Sequence, residues 1–411
     1  MANAHCRFCG TPPAHSFADL GMSPLSNSYL TDDQLRSMEP YYPLHALVCE
    51  SCLLVQLEDY GSPEQIFSDY AYFSSYSDTW LKHARQYAQM VTERFSLSSG
   101  SKAIEIASND GYLLRNFVEM RIPVLGIEPA RNVAEVAEKA GVPTRVDFFG
   151  TALAGRLVSE GHAADLLIGN NVLAHVPALN DFVRGMKIAL KPTGVITLEF
   201  PHLLRLMEGN QFDTIYHEHF SYFSFLTVEK VLAKHGLVLF DVEELSTHGG
   251  SLRIFGRHAQ DDSKPVSARV EALRSCERNA GLDKLETYAT FAEQVKETKR
   301  NLLSLLIEIK RSGSTIAGYG APAKGNTLLN YCGIGRDFLD YTVDRNPHKQ
   351  AHFLPGSHIP VLAPEKIRET RPDYVFVLPW NLAGEIMEQL AFIRDWGGRF
   401  VVPIPKPEVR S

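Results

Sequence analysis

The sequence predicts an α/β protein in three parts: a small cysteine-bearing N-terminal module, a doubly wound sheet in the middle of the chain, and a second doubly wound α/β domain. Two observations carry this. Strand and helix signals alternate twice, first between about residues 80 and 258 and again after about residue 310. Ahead of the first alternation lies a short, turn-rich segment with two Cys-x-x-Cys pairs.

The N-terminal module is expected over residues 1–75. Cys6, Cys9, Cys49 and Cys52 provide four thiolates, enough to close a tetrahedral zinc site. In a reducing compartment such pairs are metal sites more often than disulfides. A module this small gains much of its stability from such a staple. Four thiolates leave no open position for a substrate, so the predicted zinc is structural. Cys276 and Cys332 stand alone.

The central domain is expected over residues 76–260. Its predicted strands are Ala103–Ile106, Pro123–Glu128, Arg145–Phe148, Asp165–Gly169 and Gly194–Phe200, with helices such as Asn132–Ala140 and Asp181–Leu190 between them. A helix at Thr227–His235 is followed by strands at Leu237–Glu243 and Ser251–Arg257, with no helix between the two. The polar run Asp261-Asp262-Ser263-Lys264-Pro265 marks the next boundary. Over residues 261–411, helices are expected through roughly 267–310, then strands at Thr315–Tyr319, Tyr341–Asp344, Tyr374–Leu378 and Arg399–Val402.

Bulk composition narrows the function. A chain of 411 residues is too long for one ordinary core. The net charge of -7 lacks the basic footprint that a phosphate backbone requires, so nucleic acid is not an expected partner. No stretch is apolar over the roughly 18 residues that span a bilayer, and Met1–Phe8 has no signal-peptide pattern. A cytoplasmic location with no membrane partner is the expectation.

The cofactor site is expected where Glu105-Ile-Ala-Ser-Asn-Asp-Gly111 follows a strand and opens a helix, at the strand carboxyl ends of a doubly wound fold. The G-x-G-x-x-G pattern of nicotinamide binding is absent: an acid leads, and Ala107 and Gly111 are the small residues. This suits a cofactor without phosphate and with a cationic sulfonium, S-adenosylmethionine, with Asn109 in the same turn. Glu128 ends the next strand, where a carboxylate accepts both ribose hydroxyls. Asp147 and Phe148 lie at the end of the third, where an adenine would sit, and Asn170 closes the fourth.

Taken together, the cysteine pairs, Gly21-Met-Ser-Pro-Leu-Ser-Asn27, Glu105-Ile-Ala-Ser-Asn-Asp-Gly111, Tyr216-His-Glu-His219, His248-Gly-Gly-Ser251 and Gly318-Tyr-Gly-Ala-Pro-Ala-Lys-Gly325 give the chain a close resemblance to the deoxysugar C-methyltransferases. The match runs in order along the whole chain. It implies a zinc-binding N-terminal module and a class I methyltransferase domain with a Rossmann-like, seven-stranded sheet. It further implies a C-terminal domain that helps hold a nucleotide-linked keto sugar, dTDP-linked by the family habit, for antibiotic or surface-polysaccharide synthesis. One departure is Ala107, where many methyltransferases carry glycine; a methyl group there is expected to be tolerated.

Methylating a carbon beside a ketone requires removal of the α-proton and stabilisation of an enolate oxygen. Histidine is the natural base. The resemblance places the base at His219, with Tyr216 and Glu218 at the sugar, His175 as a second substrate-side histidine, and C-3 as the methylated carbon. It also places Tyr70 and Tyr72, in the aromatic run that joins the first two domains, and His248 on the substrate side. In the C-terminal domain a glycine turn carries Lys324 and Asn326, read as pyrophosphate contacts. The competing reading is a nucleotide-sugar dehydrogenase or reductase with nicotinamide bound at Gly318 and Gly320.

Overall fold

A computed structural model describes residues 5–60, 75 and 78–411. Tyr70 and Tyr72 lie outside them.

The N-terminal segment is more ordered than its turn-rich sequence suggested. Strand β1 (His15–Ser23) pairs antiparallel with β2 (Tyr42–Val48), and β2 with β3 (Val55–Gln56). Phe17 on β1 stacks on Phe291 with ring centroids 4.6 Å apart, so the helix Phe291–Arg311 covers this sheet.

The central sheet begins with β4 (Ala103–Ile106), β5 (Val124–Ile127), β6 (Thr144–Arg145), β7 (Ala164–Asn170) and β8 (Leu190–Pro201). The chain then leaves it for β9 (Ser221–Tyr222), which pairs with β3 and so completes the N-terminal sheet. Strands β10 (Leu237–Leu245) and β11 (Ser251–His258) return as an antiparallel hairpin. The seven-stranded order is β10-β11-β8-β7-β4-β5-β6, parallel from β4 to β8. Chain direction across the sheet reverses between β4 and β7, and the carboxyl ends there form the crevice in which such sheets bind ligands. The strand expected over Arg145–Phe148 ends at Arg145, which frees Phe148 from the sheet.

The third sheet comprises β12 (Ile316–Tyr319), β13 (Thr342–Val343), β14 (His352–Phe353), β15 (Pro360–Leu362), β16 (Tyr374–Val377), β17 (Arg399–Val402) and β18 (Glu408–Arg410). Its order is β14-β15-β13-β12-β16-β17-β18, with antiparallel strands only at the two edges. Among the described residues no helix is long and apolar enough to cross a membrane.

Local chemistry fixes the elements next to the site. The helix Phe225–Lys234 starts where Ser224 Oγ accepts from the Thr227 amide at 3.1 Å. Its first free amides, of Phe225 and Leu226, donate to the buried Glu277 carboxylate at 2.6 and 2.9 Å. His202, after β8, meets the same carboxylate at 2.7 Å. This buried pair anchors the chain just before the loop that carries Tyr216–His219.

Candidate active site and metal centre

The four cysteine sulfurs lie within 4.8 Å of one another. Cys6 and Cys52 approach to 3.5 Å, Cys9 and Cys49 to 3.4 Å. Zinc–sulfur bonds of about 2.3 Å in a tetrahedron require sulfur–sulfur edges of about 3.8 Å, so the cluster fits the ion with little adjustment. Each pair sits on a tight turn: the Gly10 amide donates to the Cys6 carbonyl, and the Leu53 amide to that of Cys49.

A cavity of about 700 Å³ opens at the carboxyl ends of β4, β5 and β7 and extends to the helix Ala323–Cys332. Beyond β4 the backbone turns through left-handed conformations at Ala107 (φ 56°), Asn109 (φ 50°) and Gly111 (φ 76°). Gly111 is required there, because a Cβ would lie 3.0 Å from Val142 and 3.2 Å from Ala137. Ala107 and Asn109 line the cavity. At the end of β5, Glu128 is aimed by two backbone amides: Asn109 donates to Oε2 at 3.0 Å and Ala130 to Oε1 at 2.9 Å. Burial raises its pKa, and the two amides oppose the rise. Asn170, at the end of β7, lines the cavity, and both polar atoms of its buried amide lack a partner among the described residues. A buried amide left unpaired costs about 1–3 kcal/mol. Its place at the reversal point fits a ligand that supplies both a donor and an acceptor, as S-adenosylmethionine does.

Two expectations for this region change. Glu105 does not line the cavity: it is buried, and burial followed by Asp110 and Glu128 holds its pKa well above the usual carboxylate range. Gly111 shapes the turn but does not line the cavity either, whereas Asp147 and Phe148 do, with Asp147 Oδ2 accepting from Arg156.

The histidines converge from two loops. His219 Nδ1 lies 2.9 Å from the Thr214 carbonyl oxygen, and its ring faces His175 edge-on at 4.7 Å and Tyr216 at 4.0 Å. The Phe220 amide donates to the Ala174 carbonyl at 2.7 Å, tying the two loops together. Burial, then the neighbouring His175, pushes the His219 pKa well below its ordinary value. Burial also brings His175 down to about 4. Glu218 accepts from Asn27 Nδ2 at 2.6 Å, which brings the N-terminal module to the cavity wall. His217 turns away, with Nε2 3.1 Å from the Pro43 carbonyl and its ring against Tyr42 and Tyr60.

On the opposite wall Lys324 donates to Asn381, lies 4.5 Å from the Trp380 ring centroid, and is lowered to about 8 by burial with Asp213 opposing. Trp380 Nε1 donates to Asp213 Oδ2 at 2.7 Å, and burial raises Asp213 to about 6. His248, at φ 55°, lines the cavity beside Trp80 at 5.3 Å; burial lowers it to about 4. Asn326 does not reach the cavity. It is buried and donates to the Ser26 carbonyl at 2.6 Å, pinning the N-terminal module to the C-terminal domain. Gly318 and Gly320 serve close packing, since a Cβ would lie 2.7 Å from Thr342 or 2.6 Å from Pro379. Asn27, Trp80, Asp213 and Trp380 were not among the expected site residues. Trp380 follows β16, and applying the strand-end rule to the third sheet would have pointed to it.

Family models match the chain as a zinc binding domain at residues 6–67, a methyltransferase domain at 80–242 and a C-methyltransferase C-terminal domain at 246–405. C-methyltransferase NovU from Streptomyces niveus is 36% identical over 407 residues, which is 99% of this chain and 96% of that protein. Among solved structures, an S-adenosylmethionine-dependent methyltransferase from Anabaena variabilis is similar with a TM-score of 0.34 at 16% identity, over 42% of this chain and 83% of that one. Magnesium protoporphyrin IX methyltransferase from Synechocystis gives 0.32 at 13% identity, over 44% of this chain and 81% of that one. The dehydrogenase reading falls, because the segment on which it relied matches a C-methyltransferase domain. The chain belongs to the C-methyltransferase family and is an S-adenosylmethionine-dependent, zinc-binding enzyme.

Proposed function

We propose that the enzyme methylates C-3, the carbon alpha to the ketone, of a dTDP-linked 4-keto-deoxysugar, with His219 as general base and an enolate intermediate. The observation that carries this reading is the contact from His219 Nδ1 to the Thr214 carbonyl. A carbonyl oxygen only accepts, so Nδ1 bears the hydrogen and Nε2 the lone pair. Burial keeps that ring neutral at physiological pH. Tyr216, packed on the ring, restricts its rotation.

Nε2 takes the α-proton; the C–H electron pair becomes the enolate double bond and the carbonyl pair moves onto oxygen. His175, neutral and beside His219, is the group assigned to hydrogen-bond that oxygen. Bound S-adenosylmethionine supplies the electrophilic methyl group that the enolate carbon takes. Glu128, Asn109, Asn170, Ala107, Asp147 and Phe148 are assigned to hold the cofactor, and Glu218, His248 and Lys324 the sugar nucleotide.

The test is His219→Ala. Turnover should fall by about 10²–10⁴, the usual worth of positioned acid–base catalysis, with S-adenosylmethionine affinity nearly unchanged. Solvent deuterium wash-in at the sugar carbon should fall in parallel. Wash-in that survives the substitution would transfer the base role to another group.

A further inference from the structure

Arg7 lies inside the first cysteine turn, between Cys6 and Cys9, yet its side chain is only 8% exposed. Nη1 donates to the Pro177 carbonyl at 3.3 Å and to Asp59 Oδ2 at 3.1 Å. Nη2 donates to the Leu57 carbonyl and to Asp59 Oδ1. The guanidinium carbon lies 4.9 Å from the Phe220 ring centroid. Pro177 stands two residues beyond His175, and Phe220 directly follows His219. The backbone of Arg7 joins the same contact: its amide donates to Gln56 Oε1 at 3.1 Å, and its carbonyl accepts from Asn180 Nδ2 at 2.9 Å.

We propose that Arg7 is a positioning residue for the His175–His219 pair, so that the zinc module sets the geometry of the reacting site. The inference rests on the reading of His219 as the base. Packing alone does not explain a guanidinium here. Burying one is costly, and its carboxylate partner Asp59 is half exposed, so the pair adds little to stability. What a planar fork supplies is fixed direction: one group holds the carbonyl beyond the first histidine and covers the ring beyond the second. The same knuckle, closed by zinc, fixes where that fork begins. The second knuckle acts in parallel, because β3 follows Cys52 closely and pairs with β9, and the Leu57 amide donates to the Phe220 carbonyl at 3.0 Å. A displacement of about 1 Å between reacting groups costs on the order of 100-fold in rate, which is the scale of effect available to such a residue.

The experiment compares full-length Arg7→Met and Arg7→Lys with the parent. Four quantities are read: zinc content, S-adenosylmethionine affinity, turnover of a dTDP-linked 4-keto-deoxysugar, and the His219 Nδ1–H signal in spectra of histidine-labelled protein. Arg7→Met should keep its zinc and its cofactor affinity, lose about 10- to 100-fold in turnover, and show a shifted or broadened His219 signal. Arg7→Lys should recover part of both losses. An unmoved His219 signal, whatever the turnover, overturns the proposal. A moved signal with undiminished turnover leaves Arg7 as a positioning residue and removes His219 as the base. If Arg7→Met loses zinc, Phe220→Leu withdraws the covered ring without touching the knuckle and is judged by the same two readings.

Discussion

His175 and His219 meet edge to face, with ring centroids 4.7 Å apart at 72°, and neither ring is favoured as a cation. Two neutral imidazoles would provide the proposed base and a separate hydrogen-bond donor without a charge between them. A pH dependence follows.

Because burial, and then His175, lowers the His219 pKa, the base form persists as the pH falls below 6.5. The acidic limb of turnover should therefore lie below pH 6.5. Stability has its own signature. The unfolded chain protonates its histidines near 6.5, whereas folded His175 and His248 resist until about 4. Their contribution is present above 6.5 and is lost as the pH falls from 6.5 towards 4. Denaturant midpoints across that window check the sign, and a midpoint that rises on acidification would contradict it.

Lys324→Ala should raise KM for the nucleotide sugar more than it lowers turnover, because holding a diphosphate stabilises ground and transition states alike. Lys324 also lies close enough to lower the pKa values of His219 and His248. Steady-state kinetics distinguish the two roles: a defect confined to turnover would place the ammonium beside the reacting carbon.

Glu128→Ala removes the acceptor for the Asn109 and Ala130 amides together with the group assigned to the ribose. S-adenosylmethionine binding should weaken by about 1.5–3 kcal/mol, the scale of a charge-assisted hydrogen bond left unmade. Calorimetric titration measures this directly, and an unchanged dissociation constant would move the ribose contact elsewhere.

Purified protein should carry zinc close to one per chain, and Cys49→Ser should lose it and melt at lower temperature. Metal analysis alongside thermal unfolding provides the check. Full retention of zinc after that substitution would exclude Cys49 as a ligand.

The central sheet was legible because its strands are buried on both faces and read as short apolar runs, as in Val124–Ile127. The zinc ligands were legible by residue type alone. Strands β9 and β14, at two residues each, offer no period to detect, and they depend on partners distant in sequence. Glu105 was misplaced because strand side chains alternate between faces, and sequence position does not say which face holds the cavity. Asn326 was misplaced for the helical counterpart of that reason: two residues after Lys324, it points to another side of the helix Ala323–Cys332. Asn27 was legible as part of a motif, but its contact with Glu218 depends on a fold that brings the first and second thirds of the chain together.

The pairing of β3 with β9 also bears on how the chain matures. Residues 15–56 emerge from the ribosome long before Ser221–Tyr222, so the nascent first sheet waits with one edge open. That edge carries the buried Val55 and Leu57, the kind of unpaired apolar margin that invites pairing with other chains. A fragment ending before residue 221 keeps all four cysteines but not the strand that closes their sheet. Translation of the middle of the protein thus completes its beginning, and early zinc capture would guard the open edge in the interval.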